Sequence, residues 1–288
     1  MNALERLVAE ELATPVDPRV TDLAAAIAAK HGAASRAVLF YGSCLRQQQL
    51  DGLMLDFYLI VSDYRAAYAK RWLALANRVI PPNVFYLEHG GLRAKYAVLS
   101  EPDFHRLNGP ETASVSVWAR FAQPSRLVWA ADAKARRAAI AAIARAAPTL
   151  LAAARSVVGE RADPLDLWRE AFALTYSAEL RAERPGRAQS VVDFDAGRYR
   201  RFGPAAIKLA AGISSGPKWR SRRLRGKALS ILRLAKASAT FAGGADYIAW
   251  KINRHAGTDI RLKPWQRRWP LLAALSLLPR LLKSGAVR

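Results

Sequence analysis

Ala37-Val38-Leu39-Phe40-Tyr41-Gly42-Ser43, followed shortly by Met54-Leu55-Asp56-Phe57-Tyr58-Leu59-Ile60-Val61, is the stretch whose reading decides the fold. Both runs are short, apolar and rich in β-branched and aromatic residues, so they read as two buried strands flanking a loop. The first stops at Gly42-Ser43, where a glycine lets backbone approach a phosphate closely and successive amides can face an anion. Asp56 is the one carboxylate inside the second run. A hard cation needs oxygen ligands beside the phosphates it neutralises, which makes Asp56 a candidate metal ligand next to a candidate phosphate loop of Gly42 and Ser43; alone, the pair reads equally as an ordinary strand turn and a buried-edge Asp.

Working outward, residues 2–30 carry helical apolar spacing broken by Pro15 and Pro18, which predicts two helices covering the strands. Tyr64 to Val79 reads as a helix crossing over the sheet and ending before Pro81-Pro82. Asn83 to Glu88 and Leu92 to Ser100 read as a hairpin turned at His89-Gly90-Gly91. Helical patterning returns over Asp132 to Val158, interrupted near Pro148, and again from Pro164 through about Leu180. The order strand, strand, helix, strand, strand with a helical second half predicts an α+β protein with a mixed sheet. A strand ending in Gly-Ser beside a carboxylate-bearing strand resembles the core of polymerase-β-type nucleotidyltransferases. The expected division is a nucleotidyltransferase core with N-terminal helices over 1–130, a helical domain over 131–214, and a basic tail over 215–288.

Composition narrows the class. At 288 residues with 52% hydrophobic and 24% charged residues, the chain is a folded protein and not a disordered, collagen-like or disulfide-stapled one. A single cysteine, Cys44, excludes an internal disulfide, and its place beside a strand reads as a small packed hydrophobe. The opening residues lack a basic stretch followed by an apolar one, so a cytoplasmic protein is expected. The formal net charge is +22, and from Ser215 onward 17 Lys and Arg face only Asp246 and Asp259, so +15 of it lies in the last quarter. Such a surface attracts polyanions: anionic headgroups, phosphorylated substrates or nucleic acid.

Further motifs give the reading more detail. Tyr41-Gly42-Ser43, Met54-Leu55-Asp56-Phe57, Lys95-Tyr96-Ala97-Val98-Leu99-Ser100 and Tyr176-Ser177-Ala178-Glu179-Leu180-Arg181 occur in the order and spacing of the mitochondrial-type phosphatidate cytidylyltransferases, the peripheral CDP-diacylglycerol synthases. Ala119-Arg120-Phe121-Ala122-Gln123-Pro124 is similar to that family's Gly-Arg-Leu-Gln-Lys-Pro. The resemblance spans roughly Val38 to Phe202. The position two after Asp56, where many nucleotidyltransferases carry a second acid, holds Tyr58, as the same family also lacks that acid.

The resemblance implies transfer of a cytidylyl group from CTP to phosphatidic acid with Mg²⁺, releasing pyrophosphate. It implies catalytic roles for Asp56, Lys95 and Arg181, and nucleotide binding by Tyr41, Gly42, Ser43, Tyr96, Tyr176 and Ser177. Asp63 and Glu88 are candidates beside Asp56 for the metal, ranked above Asp51. Read alone, Lys95 serves equally as edge protection on a strand, Tyr176 as core, and Glu179 with Arg181 as solvated charges, since residues two apart do not face each other on a helix.

No uninterrupted apolar run reaches the length of a membrane span. Trp265, Trp269, Leu271-Leu272 and Leu277-Leu278, flanked by Arg267, Arg268, Arg280 and Lys283, instead read as an interfacial anchor. The expectation is a peripheral protein on the inner face of the membrane, held to anionic lipid through its tail. An RNA acceptor, or a relative that binds nucleotide or lipid without turnover, stays open; the chain carries no RNA-binding motif of the common modules, so nucleic acid is not the expected partner.

Overall fold

The computed structural model describes residues 1–47, 50–159, 163–179, 187–214, 216, 218–240 and 263–264. Arg181 and the expected anchor from Trp265 to Lys283 lie outside them.

Helices α1 (Ala3–Leu12) and α2 (Pro18–Ala29) precede strand β1 (Ser35–Tyr41), the short α3 (Ser43–Gln47) and β2 (Met54–Val61). Each opens on a sequence-encoded cap. Asn2 and Glu5 form a reciprocal capping box at α1, and Asp17 with Pro18 starts α2. The crossover holds two helices, α4 (Tyr64–Ala67) and α5 (Arg71–Val79), where one was expected. The chain extends at Tyr68, whose ring turns inward against His31 and Phe85.

The expected hairpin follows as β3 (Asn83–His89) and β4 (Leu92–Ser100), with Gly90 and Gly91 both at positive φ, as its tight turn requires. Then come α6 (Glu101–Leu107), α7 (Trp118–Phe121) and a strand not anticipated, β5 (Ser125–Ala130). The sheet order is β3-β4-β2-β1-β5, parallel between β2 and β4 and antiparallel elsewhere. This mixed five-stranded sheet with a helical second half is the predicted α+β architecture.

Period-two alternation gives the sheet two apolar faces. Phe40, Phe57 and Val98 meet Leu23, Ala24 and Ile27 of α2 on one side. Leu39, Tyr58 and Leu99 meet the helical half on the other. That half comprises α8 (Ala133–Ala144), α9 (Ala146–Val158), α10 (Pro164–Ala178), α11 (Arg187–Phe194), α12 (Ala196–Ala211) and α13 (Trp219–Thr240). The helix break falls at Arg145; Pro148 sits in the first turn of α9, where its missing N–H deprives no carbonyl of a donor. One stretch among the described residues, Ala133–Arg155, is long and apolar enough to cross a membrane, but 78% of its apolar window is buried inside the fold, as in a core helix.

The larger core draws buried residues from Leu4 to Trp219, so residues 1–130 and 131–214 both contribute to it. The first part of the supposed tail also folds back as α13. Trp219 Nε1 donates to the Ala153 carbonyl at 2.8 Å, and Arg222 Nη1 donates to the carbonyls of Thr112 and Ala113 at 3.1 and 3.2 Å. A side chain at Gly226 would collide with the carbonyl of Ala178 at the end of α10, so glycine permits this helix crossing. The abrupt basic composition therefore marks a docked helix whose inner face uses arginine stems and guanidinium donors.

A buried ion pair ties the two ends of the larger core. Arg198 of α12 and Glu11 of α1 are 5% and 7% exposed, with Nη2 to Oε1 at 3.1 Å and a further bond from Nε to Oε2. Arg198 Nη1 also donates to the Ala122 carbonyl at 2.9 Å, and its guanidinium lies 4.3 Å from the Phe202 ring centre. Glu11→Ala leaves that charge buried without its counter-ion and is expected to cost about 3–5 kcal/mol. Urea unfolding of the variant beside wild type checks it; a loss under about 1 kcal/mol, typical of a solvated pair, contradicts the buried-pair reading.

Candidate functional site

The site lies where β1 ends and β2 and β4 begin, on the sheet face turned toward the helical half. Register places Tyr41 opposite Asp56 and Asp56 opposite Lys95, with Tyr86 of β3 beyond Lys95. Side chains at these positions share one face, so Tyr41, Asp56, Lys95 and Tyr86 form a row across four strands. Gly42 follows at φ +96°, a conformation that favours glycine. A methyl group there would stand 2.9 Å from Asp56 Oδ2 and 3.3 Å from its Cβ. The turn that ends β1 thus rests directly on the carboxylate. The other oxygen, Oδ1, pairs with Lys95 Nζ at 2.9 Å, and Asp56 stays 19% exposed.

The next row inward is aromatic. Tyr58 packs against Tyr41 and Phe121 with ring centres 5.4 and 5.2 Å apart, and burial pushes both tyrosine hydroxyls above their ordinary value. For Tyr41 the Asp56 carboxylate adds to that rise. A second carboxylate two residues after Asp56 would occupy the place of Tyr58.

Three helices bring charge over this row. Arg120 of α7 lies 3.8 Å from Glu179 Oε1, just past the end of α10, and Arg233 of α13 reaches the same oxygen at 4.0 Å. Burial opposes the charge on Arg120, but Glu179, Tyr58, Tyr41 and Asp56 together outweigh it and raise the guanidinium pKa. Arg233 also donates through Nε to the Pro81 carbonyl and through Nη1 to Ser116 Oγ, at 2.8 and 2.9 Å. Lys236 donates to the carbonyls of Ile80 and Pro82.

Of the residues expected at the site, Tyr41, Gly42, Ser43, Asp56 and Lys95 come together. Tyr96 does not. Neighbouring strand residues face opposite ways, so it points into the smaller core, where its hydroxyl meets His31 Nε2 at 3.3 Å and burial pushes its pKa up to about 12. Tyr176 packs half-buried against the larger core, and the exposed Ser177 donates to the Leu174 carbonyl of its own helix at 2.8 Å. Cys44 is buried with Sγ 3.6 Å from the Met54 carbonyl, as a packed residue.

The additional metal ligands are misplaced. Asp63 caps α4 through the amides of Arg65 and Ala66, about 20 Å beyond Asp56 in the strand direction. Glu88 shares the site face but sits two strands away and two residues further on, about 12 Å from Asp56, and accepts a bond from the Tyr86 hydroxyl. Asp51 pairs with Arg19 in an exposed loop. Among the described residues no three His, Cys, Asp or Glu side chains cluster as a metal group. Asp56 alone still fits Mg²⁺, which is commonly held by one or two carboxylates with substrate phosphates and water.

Arg120, Glu179 and Arg233 were not singled out from sequence. Arg120 and Glu179 do fall inside the quoted motifs, whereas nothing in the sequence pointed to Arg233. Searches against protein-family models and against curated proteins find no match to the chain.

Burial, with Arg233 adding to it, brings the Lys236 ammonium down to about 7. An unfolded chain keeps that proton up to a pKa near ~10.4, so the group's contribution to stability rises as pH climbs from about 7 toward that value and is lost below it. Lys236→Met is expected to flatten this dependence. Urea midpoints at about pH 7 and about pH 9 should then shift in favour of wild type at the higher pH; parallel midpoints contradict it.

Proposed function

We propose that this protein is a Mg²⁺-dependent nucleotidyltransferase that transfers a cytidylyl group from CTP to phosphatidic acid, producing CDP-diacylglycerol and pyrophosphate at a membrane surface. The observation that carries the reading is the direct packing of the Gly42 turn on Asp56, with Lys95 at 2.9 Å from the same carboxylate. A backbone able to approach phosphate, a hard-cation ligand and a compact positive charge converge there. The motif resemblance supplies the nucleotide and the acceptor.

In this reaction a phosphate oxygen of phosphatidic acid attacks the α-phosphorus of CTP. The new P–O bond forms as the bond to the β-phosphate oxygen breaks, and the electron pair departs with pyrophosphate. The attacking monoester oxygen is already anionic near neutral pH, so no serine nucleophile or general base is required. Asp56, together with the triphosphate, would hold Mg²⁺, which when bound would supply charge neutralisation on the phosphate oxygens.

The side chains have separate tasks. Gly42 lets the backbone of the turn come close to the triphosphate, and the Ser43 hydroxyl is placed to donate to it. Lys95 offers a mobile point charge to the leaving pyrophosphate. Arg120 presents a planar fork suited to phosphate, oriented by Glu179, which Arg233 also braces. Tyr41 and Tyr58 stay protonated and floor the site with rings.

Binding without turnover is a second reading, favoured by Tyr58 where a second acid often stands. It predicts tight CTP binding with no product from any lipid phosphate.

Pyrophosphate release in mixed micelles should require CTP, Mg²⁺ and phosphatidic acid together, with ATP or an RNA acceptor ineffective. Asp56→Ala should lower kcat at least about 100-fold, the usual scale for losing a group that stabilises developing charge. Gly42→Ala, which places a methyl against Asp56 Oδ2, should act in the same direction. Full turnover in Asp56→Ala, or release that needs no lipid, would sink the proposal.

A further inference from the structure

The outward face of α5 is apolar where a helix facing only water is polar. Its buried positions include Asn77, which donates through Nδ2 to the Val98 carbonyl at 2.9 Å and accepts from the Asn83 amide. Asn83 Nδ2 in turn donates to the Leu73 carbonyl at 2.9 Å. Polar side chains thus pin the inner side, while Trp72, Leu75 and Val79, spaced along the other side, are 48%, 63% and 66% exposed. The cations Arg65, Lys70, Arg71 and Arg78 surround this stripe, all exposed, and residues 64–80 contain no acid.

We propose that this face of α5 is a docking surface for a bilayer bearing anionic headgroups. The stripe needs an apolar layer and its border needs phosphate, and a membrane interface presents the two at adjacent depths, with tryptophan favoured at the boundary. A second copy of the chain fits poorly, because two such faces would bring four cations against four. Nucleic acid offers the phosphate without an apolar layer for Leu75 and Val79.

The neighbouring helix continues the pattern. α13 carries seven Lys and Arg and no acid, and exposes Leu224, Ile231 and Leu232. Its Arg233 and Lys236 hold the carbonyls of Ile80, Pro81 and Pro82, directly after α5. The same Arg233 reaches Glu179 at the candidate site. The inference deepens the lipid-acceptor reading and rests on it for its biological sense, but its test uses no nucleotide and no turnover.

Cys44 is buried, so Leu75→Cys in the full chain gives a single accessible thiol for an environment-sensitive nitrobenzoxadiazole label. On vesicles of phosphatidylcholine containing about a third phosphatidylglycerol, the label should brighten, shift to the blue and be quenched by brominated acyl chains. Pure phosphatidylcholine should bind far less, and added salt should weaken the response. Adding Trp72→Ser and Val79→Ser, both at exposed positions, should reduce partitioning on the order of tenfold. A chain that sediments with vesicles while the label at position 75 stays in water overturns the proposal, as does absence of vesicle binding. A label response without lipid, accompanied by a dimer mass in light scattering, overturns it in favour of self-association. Loss of cytidylyl transfer with the label still entering the bilayer would count against the proposed function alone.

Discussion

Strand β2 is held between an antiparallel neighbour, β1, and a parallel one, β4, and its register against both is the constraint on which the site depends. A slip of one residue would carry Asp56 into the smaller core and bring Phe57 up in its place, because strand side chains alternate. The flanking residues oppose that slip. Leu55, Phe57 and Leu59 are fully packed on one side, and Tyr58 and Ile60 on the other. Burial on both faces thus fixes where a single carboxylate emerges, and the left-handed turn at Gly42 then closes against it.

The helical half does more than cover this face. Arg120, Glu179 and Arg233 come from two helices and the end of a third, far apart in sequence, and meet over the aromatic row beside Asp56. A buried glutamate shared by two guanidinium groups orients both without neutralising the region, since Lys95 adds further positive charge beside Asp56. Arginine suits this arrangement better than lysine, because its several donors can satisfy a carboxylate, a carbonyl and a hydroxyl at once. Arg233 makes such a set with Glu179, Pro81 and Ser116.

Much of the sheet was legible because its signals are local. Apolar runs of strand length and glycines at the β3–β4 turn each depend on a few adjacent residues. β5 escaped notice because Ser125–Ala130 is a short edge strand whose pattern is weak without its partner. Gly42 and Asp56 were legible together from two successive strand-like runs and the turn between them, whereas Lys95 entered only through the motif resemblance. Tyr96 was not read correctly, although strand alternation already forbids it from sharing a face with Lys95. Asp63 was a candidate second ligand, yet along a strand seven residues separate groups by far more than a metal can span. The docking of α13 and the meeting of Arg233 with Glu179 are long-range events, encoded in no local period.

The tie between Glu11 and Arg198 joins residues 187 positions apart. At ribosomal rates of about 5–20 residues per second, α1 leaves the ribosome about ten to forty seconds before its partner on α12 exists. Leu4, Val8 and Leu12, which end in the larger core, pass that interval without the part of their cover that α12 supplies. The pair that closes the larger core is therefore completed late, after nearly all of the chain between its two members has been made.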